Sequence, residues 1–285
     1  MRNIFHELHY AIRIFFLNPI IFLRKFFNRI FLFLVPWPKD KTQVKIGEHI
    51  IQTQPSRNLW RKSICFRQCD IEIEDNLKKY LSPSGVFIDA GAGIGYFSAI
   101  ASDIVGGSGK VHCFEPNPFC GESITKMIKN SPNSNIIFNN CALGNYNGSH
   151  KYYIKSQKSK ESTIVSMVEG VINNVGGVKE VRVQRLDDYL EQNKTDRVSL
   201  IKIDVEGYEY FVLQGLSKFF EKTSFKPPII CEIFTPAYKK PDLSLERLES
   251  YMKNYGYRAY NIFNPRKKVD ICSLKNTTDV VFKAE

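Results

Sequence analysis

Four short, largely apolar runs in this chain are each followed at once by an acidic residue. The runs and their acids are Val86–Ile88 before Asp89, Val111–Phe114 before Glu115, Leu200–Ile203 before Asp204 and Ile229–Cys231 before Glu232. A fifth run, Ile136–Phe138, has no acid after it. Stretches of helical length separate the runs, and this alternation predicts an α/β fold with a mostly parallel sheet.

The acids at the strand ends indicate a ligand site. In an open α/β sheet the carboxyl ends of the strands line the ligand crevice, so we expect the four carboxylates to converge there. An acid after a strand also commonly caps the next helix. That structural explanation suits one such acid better than four.

Three glycines, Gly91, Gly93 and Gly95, lie in the turn after the first strand. Because glycine has no Cβ, such a turn lets a ligand approach the backbone and the free N–H groups at the start of the next helix. A dinucleotide-binding turn has the pattern G-x-G-x-x-G, whereas this chain has Tyr96 at the last position. The turn therefore favours S-adenosylmethionine over NAD. Glu115 ends the next strand, where its carboxylate is placed to accept hydrogen bonds from both ribose hydroxyls of either cofactor.

Several motifs, in order along residues 70–240, resemble those of the FkbM family of class I methyltransferases. They are Val86–Ser98 with the glycine turn, Val111–Asn117 with Glu-Pro after the strand, Asn140–Gly144, Arg185–Tyr189 and Ile201–Glu209. The last two are similar to the family's most specific stretch. The chain departs from the family at Gly93, where the family usually has Asn. The resemblance then implies the same backbone turn without one side-chain contact.

The resemblance implies a Rossmann-like sheet of seven strands that ends in a reversed hairpin, with Tyr257–Phe263 and Asp279–Phe282 as its candidate strands. It implies a methyltransferase domain over residues 70–285 with S-adenosylmethionine as cofactor. The residues assigned to the cofactor are Asp89, Gly91, Gly93, Gly95 and Glu115, with Asn140, Cys141 and Ala142 closing over the adenine. It also implies O-methylation of a hydroxyl on a sugar, a glycan or a related metabolite.

Methyl transfer to a hydroxyl requires in-line alignment of the acceptor and removal of its proton, and a carboxylate serves the second purpose. Asp204 is our first candidate for the base or for the group that orients the acceptor, and Glu206 is the second. In the structural alternative Asp204 braces its loop, while Glu206 and Glu209 favour the positive start of a helix. We expect no required metal, although some acids offer oxygen ligands suited to Mg²⁺. Those acids are Asp187, Asp188, Asp204 and Glu232.

Residues 1–36 are predicted to form a helical extension, and residues 37–69 a linker and lead-in. Asn18 and Pro19 start a helix and Pro36 ends it. One arc of this helix is polar and the rest is largely Phe, Ile and Leu; the arc holds Arg24, Lys25, Asn28 and Arg29. Such a helix favours a membrane-surface anchor through residues 19–35. The alternatives are a helix packed on the catalytic domain or on a partner, and a signal-anchor that spans the membrane despite its charges.

Positive charge is concentrated at the N-terminus of the chain. The formal net charge is +11, and residues 1–62 hold 11 Lys/Arg against 3 Asp/Glu. The rest of the chain is nearly balanced, which argues against a nucleic-acid groove on the core. The 7 cysteines are scattered and indicate reduced, mostly buried thiols. These features predict a cytoplasmic protein that is peripheral on a membrane.

Two other functions fit parts of the pattern. An NAD-dependent oxidoreductase on the same fold predicts Gly at the position of Tyr96. A non-catalytic, membrane-associated adaptor predicts no cofactor affinity and leaves the intact acids unexplained. The acceptor, a hydroxylated small molecule or glycan, is expected to contact residues 145–185 and the N-terminal lead-in, where no pattern identifies it. The sequence carries no signal for the oligomeric state.

Overall fold

The computed structural model describes residues 14–36, 42–53, 59–67, 69–131, 134–155, 165–171, 175–240 and 242–285. The strands are β1 (Thr42–Ile46), β2 (His49–Thr53), β3 (Val86–Ala90), β4 (Lys110–Phe114), β5 (Ile136–Asn139), β6 (Ala142–Leu143), β7 (Gly148–Lys155), β8 (Val165–Ser166), β9 (Val175–Gln184), β10 (Leu200–Ile203), β11 (Ile229–Ile233), β12 (Tyr257–Asn261) and β13 (Thr278–Ala284). The helices are α1 (Pro19–Leu34), α2 (Leu59–Cys65), α3 (Ile71–Tyr80), α4 (Tyr96–Val105), α5 (Pro118–Lys129), α6 (Leu186–Gln192), α7 (Glu209–Gln214), α8 (Ser217–Lys222) and α9 (Leu245–Asn254).

A seven-stranded sheet forms the centre of the molecule, in the order β12-β13-β11-β10-β3-β4-β5. The pairs from β11 through β10, β3 and β4 to β5 are parallel, while β13 runs antiparallel to both β11 and β12. The structure therefore confirms the predicted Rossmann-like sheet with its reversed last hairpin. All five predicted parallel strands are present.

The hydrophobic core lies on both faces of this sheet. Phe87 and Leu200 point into one buried cluster, and their chain neighbours Ile88 and Ile201 point into the other. Because a parallel strand is covered on both faces, nearly every one of its residues must be apolar. This explains why the strands appear in the sequence as unbroken apolar runs rather than as alternating patterns.

A second sheet of four strands, in the order β6-β9-β7-β8, is inserted between β5 and α6. It covers most of the region 145–185, for which the sequence offered no structural prediction beyond a role in specificity. Leu143, Tyr152 and Val183 of this sheet are buried in the same core cluster as Ile203 of β10. The inserted sheet therefore packs on one face of the central sheet.

The prediction of a linker over residues 37–69 is wrong for its described part. Strands β1 and β2 form an antiparallel hairpin around Gly47. Val44, Ile46 and Ile51 of this hairpin are buried in the core cluster that contains α4. The hairpin was missed because its apolar residues are few, although those in β1 alternate as a half-buried strand requires.

The helix α1 begins and ends as predicted. The side chain of Asn18 accepts a hydrogen bond from the Ile21 backbone N–H, and the helix stops at Leu34, two residues before Pro36. Its polar arc faces the catalytic domain, since Arg24 pairs with Asp75 of α3 and Lys25 with Glu72 of α3. This is the arrangement of the packed-helix alternative. No helix in the described part of the chain combines the length and apolarity needed to cross a membrane.

Candidate active site

The glycine turn between β3 and α4 is built on left-handed backbone. Gly91, Gly93 and Gly95 have φ angles of 78°, 55° and 86°. The N–H groups of Gly91 and Ala92 donate to the Phe114 carbonyl at the end of β4, at 3.0 and 3.1 Å. These bonds hold the turn at the carboxyl edge of the sheet, where the ligand crevice of an open α/β sheet is expected.

Gly91 and Gly93 differ in the space around them. A Cβ on Gly91 would lie 1.8 Å from the backbone oxygen of Asp204, so only glycine allows this approach of β3 to the end of β10. A Cβ on Gly93 would meet no described atom within 4 Å. The turn is therefore closed on the side of Asp204 and open at Gly93.

Glu115 stands directly after β4 and holds the glycine turn. One of its carboxylate oxygens accepts from the Gly93 N–H at 2.9 Å, and the other from the Asn117 N–H at 2.8 Å. Burial raises the pKa of Glu115 to about 7, and these two N–H groups oppose the rise. The Asn140 side chain donates to the Glu115 backbone oxygen at 3.0 Å, which brings the segment 140–142 over the end of β4.

Asp89 lies below the turn rather than on its surface. Its side chain is fully buried, and one oxygen accepts from the Ser98 hydroxyl of α4 at 2.7 Å. The other oxygen is 3.7 Å from the Nζ atom of Lys202. Burial raises the pKa of Asp89, while Lys202 and Ser98 counteract this. Asp89 thus joins β3, α4 and β10 beneath the turn.

A group of carboxylates occupies the ends of β10 and β11. Oxygens of Asp204, Glu206 and Glu232 lie within 4.8 Å of one another. Burial, with Asp204 adding to it, raises the pKa of Glu206 to about 7. The same two causes raise the pKa of Glu232 well above its usual range. Two of the three groups therefore hold a proton more tightly than a carboxyl group in water.

These observations can be compared with known proteins. The family described as the methyltransferase FkbM domain matches residues 89–259, which run from Asp89 in β3 through the glycine turn, Glu115, Asp204 and Glu232 into the start of β12. This chain belongs to the FkbM methyltransferase family. Its membership confirms the predicted enzyme class and, with it, S-adenosylmethionine as the expected cofactor. A curated relative, methyltransferase sdnD of Sordaria araneosa, is 26% identical over 201 residues, covering 61% of this chain and 74% of that protein.

Solved structures also align with this chain, at low sequence identity. A methyltransferase FkbM from Methylobacillus flagellatus KT aligns with a TM-score of 0.44 and 15% identity over 80% of this chain. The present chain covers 56% of that protein, little more than half of its length. TYW2 of M. jannaschii, solved in complex with AdoMet, aligns with a TM-score of 0.41 and 15% identity over 87% of this chain and 86% of its own.

The residues predicted for the cofactor in this FkbM methyltransferase lie around one end of β3 and β4. Gly93 donates to the Glu115 carboxylate, and Gly91 donates to the carbonyl of Phe114, the residue before Glu115. Cys141 and Ala142 are both buried beside them, with burial raising the pKa of the Cys141 thiol. The roles of all these residues in binding the cofactor remain predictions.

Of the acids considered as metal ligands, the structure separates Asp187 and Asp188 from the strand ends. Asp187 accepts from the backbone N–H groups of Lys218 and Phe219 and pairs with Arg185. Asp188 pairs with Lys218 and accepts from Asn147. Both aspartates therefore tie α6 to its surroundings. The three carboxylates at the ends of β10 and β11 form the oxygen-rich group suited to a divalent cation.

Lys202 is a site residue of this methyltransferase that the motif search did not single out. It is buried in β10, with its Nζ atom 3.0 Å from Asp204 and 5.4 Å from the centre of the Phe97 ring. Burial alone lowers the pKa of Lys202, but Asp204 and Asp89 outweigh it and raise the pKa above its usual range. The signal in the sequence that would have identified Lys202 is a charged residue inside an otherwise apolar strand.

Ser166 is a second residue that the sequence did not reveal. Glu206 adopts a left-handed backbone with a φ of 51°, which is uncommon for a residue with a side chain. The buried Ser166 hydroxyl of β8 donates to the Glu206 backbone oxygen at 2.7 Å. Next in the chain, the Gly207 N–H donates to Glu209 at 2.7 Å. These bonds fix the turn that presents Glu206, and the first of them comes from the inserted sheet.

Proposed function

We propose that this enzyme transfers the methyl group of S-adenosylmethionine to a hydroxyl of a sugar, a glycan or a related metabolite. The observation that carries the proposal is the contact between the two parts of the crevice. Gly91 of the glycine turn lies against the backbone oxygen of Asp204, and Asp204 begins the group of carboxylates at the ends of β10 and β11. A turn suited to the cofactor and a set of candidate bases are thus adjacent.

The residues present fit the cofactor. The open position at Gly93 leaves room above the turn, and Glu115 already accepts two N–H groups there, so its remaining lone pairs are suited to ribose hydroxyls. Asn140 and its two successors provide a cover for the adenine. S-adenosylmethionine supplies, when bound, an electrophilic methyl group on a positively charged sulfur. The carboxylates at the ends of β10 and β11 favour a positive charge beside them.

Glu206 is the better base of the two candidates. A general base works best when its pKa lies near the operating pH, and burial places the pKa of Glu206 at about 7. Asp204 is instead held in an ion pair by Lys202, which suits a group that orients the acceptor. In the proposed reaction Glu206 would take the proton of the acceptor hydroxyl while the oxygen takes the methyl group, and the electron pair of the broken carbon–sulfur bond would leave with S-adenosylhomocysteine.

The inserted sheet is our candidate for the part of the enzyme that contacts the acceptor. Ser166 holds the Glu206 backbone, and the side chain of Tyr152, buried in β7, lies close enough to Glu115 and Glu206 for both charges to raise its pKa, after the larger effect of burial. The inserted sheet thus contributes groups near both Glu115 and Glu206, which supports a role for it in selecting the acceptor. This agrees with the expectation that residues 145–185 determine specificity.

The cofactor assignment is tested by calorimetric titration of the full chain with S-adenosylmethionine, S-adenosylhomocysteine and NAD. We expect micromolar binding of the first two that is lost in Asp89→Ala and Glu115→Ala. The exposed Asp196, on the loop before β10, provides the control Asp196→Ala, which should bind as the unaltered protein does. Binding of NAD instead would favour an oxidoreductase, and binding of none of the three would favour an adaptor.

The acceptor class is tested with S-adenosylmethionine labelled in its methyl group. Sugars, glycolipids and matched amines are supplied in parallel, and the labelled product is treated with alkali and analysed for the methylated atom. We expect label on hydroxyl oxygen. Label found only on amine nitrogen would contradict O-methylation and leave the cofactor assignment intact.

A further inference from the structure

We propose that α1 docks this enzyme onto an anionic lipid bilayer through an apolar face that points away from the catalytic domain. We call this surface the outer face of α1. Its residues are Ile20, Leu23, Phe26, Phe27, Ile30, Phe33 and Leu34, all of them exposed. Ile20, Leu23, Phe27, Ile30 and Leu34 follow one another at helical spacing and form a continuous stripe.

The orientation of α1 is set by contacts on its opposite side. Lys25 pairs with the nearly buried Glu72 at 2.5 Å, and the Asn18 side chain donates to the Phe263 backbone oxygen at 3.2 Å. Ile21 and Leu32 are buried beneath the helix. With its polar arc and these two apolar residues held against the domain, and with Phe22 and Phe31 at the edges of this contact, the helix presents the residues of the outer face to the outside.

The outer face is a contiguous apolar surface, not a set of isolated exposed apolar residues. Phe33 and Leu34 expose 86% and 73% of their surface, and Ile20 exposes 69%. A contiguous apolar surface of this kind marks an interaction site. At about 1.5 Å per residue the 16-residue helix is roughly 24 Å long, shorter than the roughly 30 Å core of a bilayer. Its dimensions suit a helix that lies in the membrane surface.

Shape and charge favour a lipid surface as the occupant. The outer face is a convex ridge of phenylalanine and aliphatic side chains, which a fluid acyl layer accommodates without a matching groove. In the sequence, Arg13 precedes the helix, and Lys39 and Lys41 follow it. Residues 1–62 together hold 11 basic and 3 acidic side chains, and an excess remains when Arg24 and Lys25, which pair with acids of α3, are set aside. This excess complements anionic lipid headgroups, whose attraction for basic residues near the surface adds to the apolar insertion.

The docking helix lies at the same edge of the sheet as the crevice. Strand β12 runs parallel to β11, because both are antiparallel to β13, so the carboxyl end of β12 lies at the edge that carries Glu232. Phe263 follows β12 at that edge and contacts α1 through Asn18 and through Lys25, whose Nζ atom is 5.0 Å from the Phe263 ring centre. If the proposed methyl transfer holds, the acceptor is therefore a hydroxylated headgroup carried by the membrane.

Flotation of the full chain with lipid vesicles tests the docking. The vesicles are phosphatidylcholine alone, or phosphatidylcholine with about one-third phosphatidylglycerol. We expect the protein to float with the anionic vesicles, and the double variant Phe27→Ser/Phe33→Ser to partition at least about tenfold less. The matched control is Phe225→Ser, which changes an exposed phenylalanine outside α1. Near-ultraviolet circular dichroism confirms that the variants keep the native packing.

Three results would overturn the proposal. The unaltered protein could stay with the soluble fraction, or the double variant could float as well as the control. Light scattering could also show a dimer that the double variant dissociates while neither form binds vesicles, which would make the outer face a contact between two copies of this chain. Flotation needs no cofactor, so its outcome is separate from that of the calorimetric titration.

Discussion

The two halves of the crevice are built on opposite electrostatic plans. We call Asp89, the glycine turn and Glu115 the cofactor half, and Lys202, Asp204, Glu206 and Glu232 the acceptor half. In the cofactor half each carboxylate accepts hydrogen bonds from donors fixed in the fold, such as the Ser98 hydroxyl and the Gly93 N–H. In the acceptor half the carboxylates face one another, and their mutual repulsion raises the pKa of Glu206 and of Glu232 beyond the effect of burial.

This difference shows how one edge of the sheet can serve both the recognition of a cofactor and the transfer of a proton. Hydrogen-bonded carboxylates keep one geometry and suit the recognition of a cofactor that is the same in every turnover. Carboxylates that repel one another favour whatever relieves the repulsion, which is a proton or a neighbouring cation. The acceptor half is therefore suited to receive a proton beside a sulfonium.

The largest expected effect is a loss of turnover without a loss of cofactor affinity, which would distinguish the two halves. Glu206→Gln keeps the size of the side chain but removes the base, so we expect turnover to fall by about 10²- to 10⁴-fold. The affinity for S-adenosylmethionine should change little, because the cofactor half is untouched. Turnover is measured by transfer of labelled methyl groups, and exposed Glu191→Gln serves as the control. Full activity of Glu206→Gln would assign the base to Asp204.

The pH dependence of the unaltered enzyme follows from the same group. Because a base must be ionised, kcat/KM should rise as the pH increases through about 7, the value to which burial raises the pKa of Glu206. A profile that is flat between about pH 6 and 8 would show that no group with this pKa limits the reaction.

Gly91→Ala should move the glycine turn of the cofactor half away from Asp204 of the acceptor half. Its Cβ would collide with the Asp204 backbone oxygen, so the turn must move away from β10 and the affinity for S-adenosylmethionine should fall about a hundredfold. Gly106→Ala is a matched control, because Gly106 also has a positive φ of 66° but its Cβ would meet no described atom within 4 Å. If calorimetry finds the same affinity for S-adenosylmethionine in both variants, cofactor binding does not depend on the close contact between Gly91 and Asp204.

A smaller effect concerns Glu209, the first residue of α7, which follows Glu206 of the acceptor half in the chain. Glu209 is fully buried, and burial raises its pKa from 4.5 to about 8 although Gly207 and Tyr238 donate to it. The folded state keeps this proton at a pH where the unfolded state has lost it. The free energy of unfolding should therefore fall as the pH rises from about 4.5 to about 8, by roughly 1 kcal/mol per pH unit from this group.

Glu209→Gln isolates that contribution. The amide can bond to Gly207 and Tyr238 but does not ionise, so urea denaturation should show a flatter pH dependence than in the unaltered protein. The control is Glu246→Gln, which changes an exposed glutamate and leaves the Glu209 carboxyl in place. Equal slopes in all three proteins would mean that Glu209 is ionised in the folded state at neutral pH.

The smallest expected effect sharpens the description of the cofactor half. Asparagine tolerates left-handed backbone better than most residues, and the space at Gly93 is open, so Gly93→Asn should fold normally. We expect its affinity for S-adenosylmethionine to be equal or up to about threefold higher, from one added side-chain hydrogen bond. Calorimetry measures this change, and a large loss of affinity would show that the cofactor itself fills the open space.

The strand ends of the site were predictable and the contacts between distant segments were not. Asp89, Glu115, Asp204 and Glu232 were found because covered parallel strands are apolar along their whole length, which makes the residue that ends each strand visible. Ser166 and Glu206 are 40 residues apart, and no local pattern links them. Their contact depends on how the inserted sheet packs, which is a property of the folded chain.

The N-terminal helix shows the same limit. Its two faces were evident from the spacing of charged and apolar residues. Which face would lie against the domain depended on Glu72 and Asp75, two acids of α3 that bind Lys25 and Arg24. A helical pattern describes one element, whereas orientation is decided by a second element that the pattern does not contain.

The hydrogen bond from Ser166 to Glu206 also marks a boundary between the inserted sheet and the central sheet. The donors and acids of the reaction stand on the central sheet, while acceptor recognition is expected from the inserted sheet. Relatives can therefore diverge in β7–β9 and acquire new acceptors without rebuilding the chemistry. An engineer who grafts another insertion onto this chain should keep a hydroxyl at position 166, because the insertion supports the turn of the base through it.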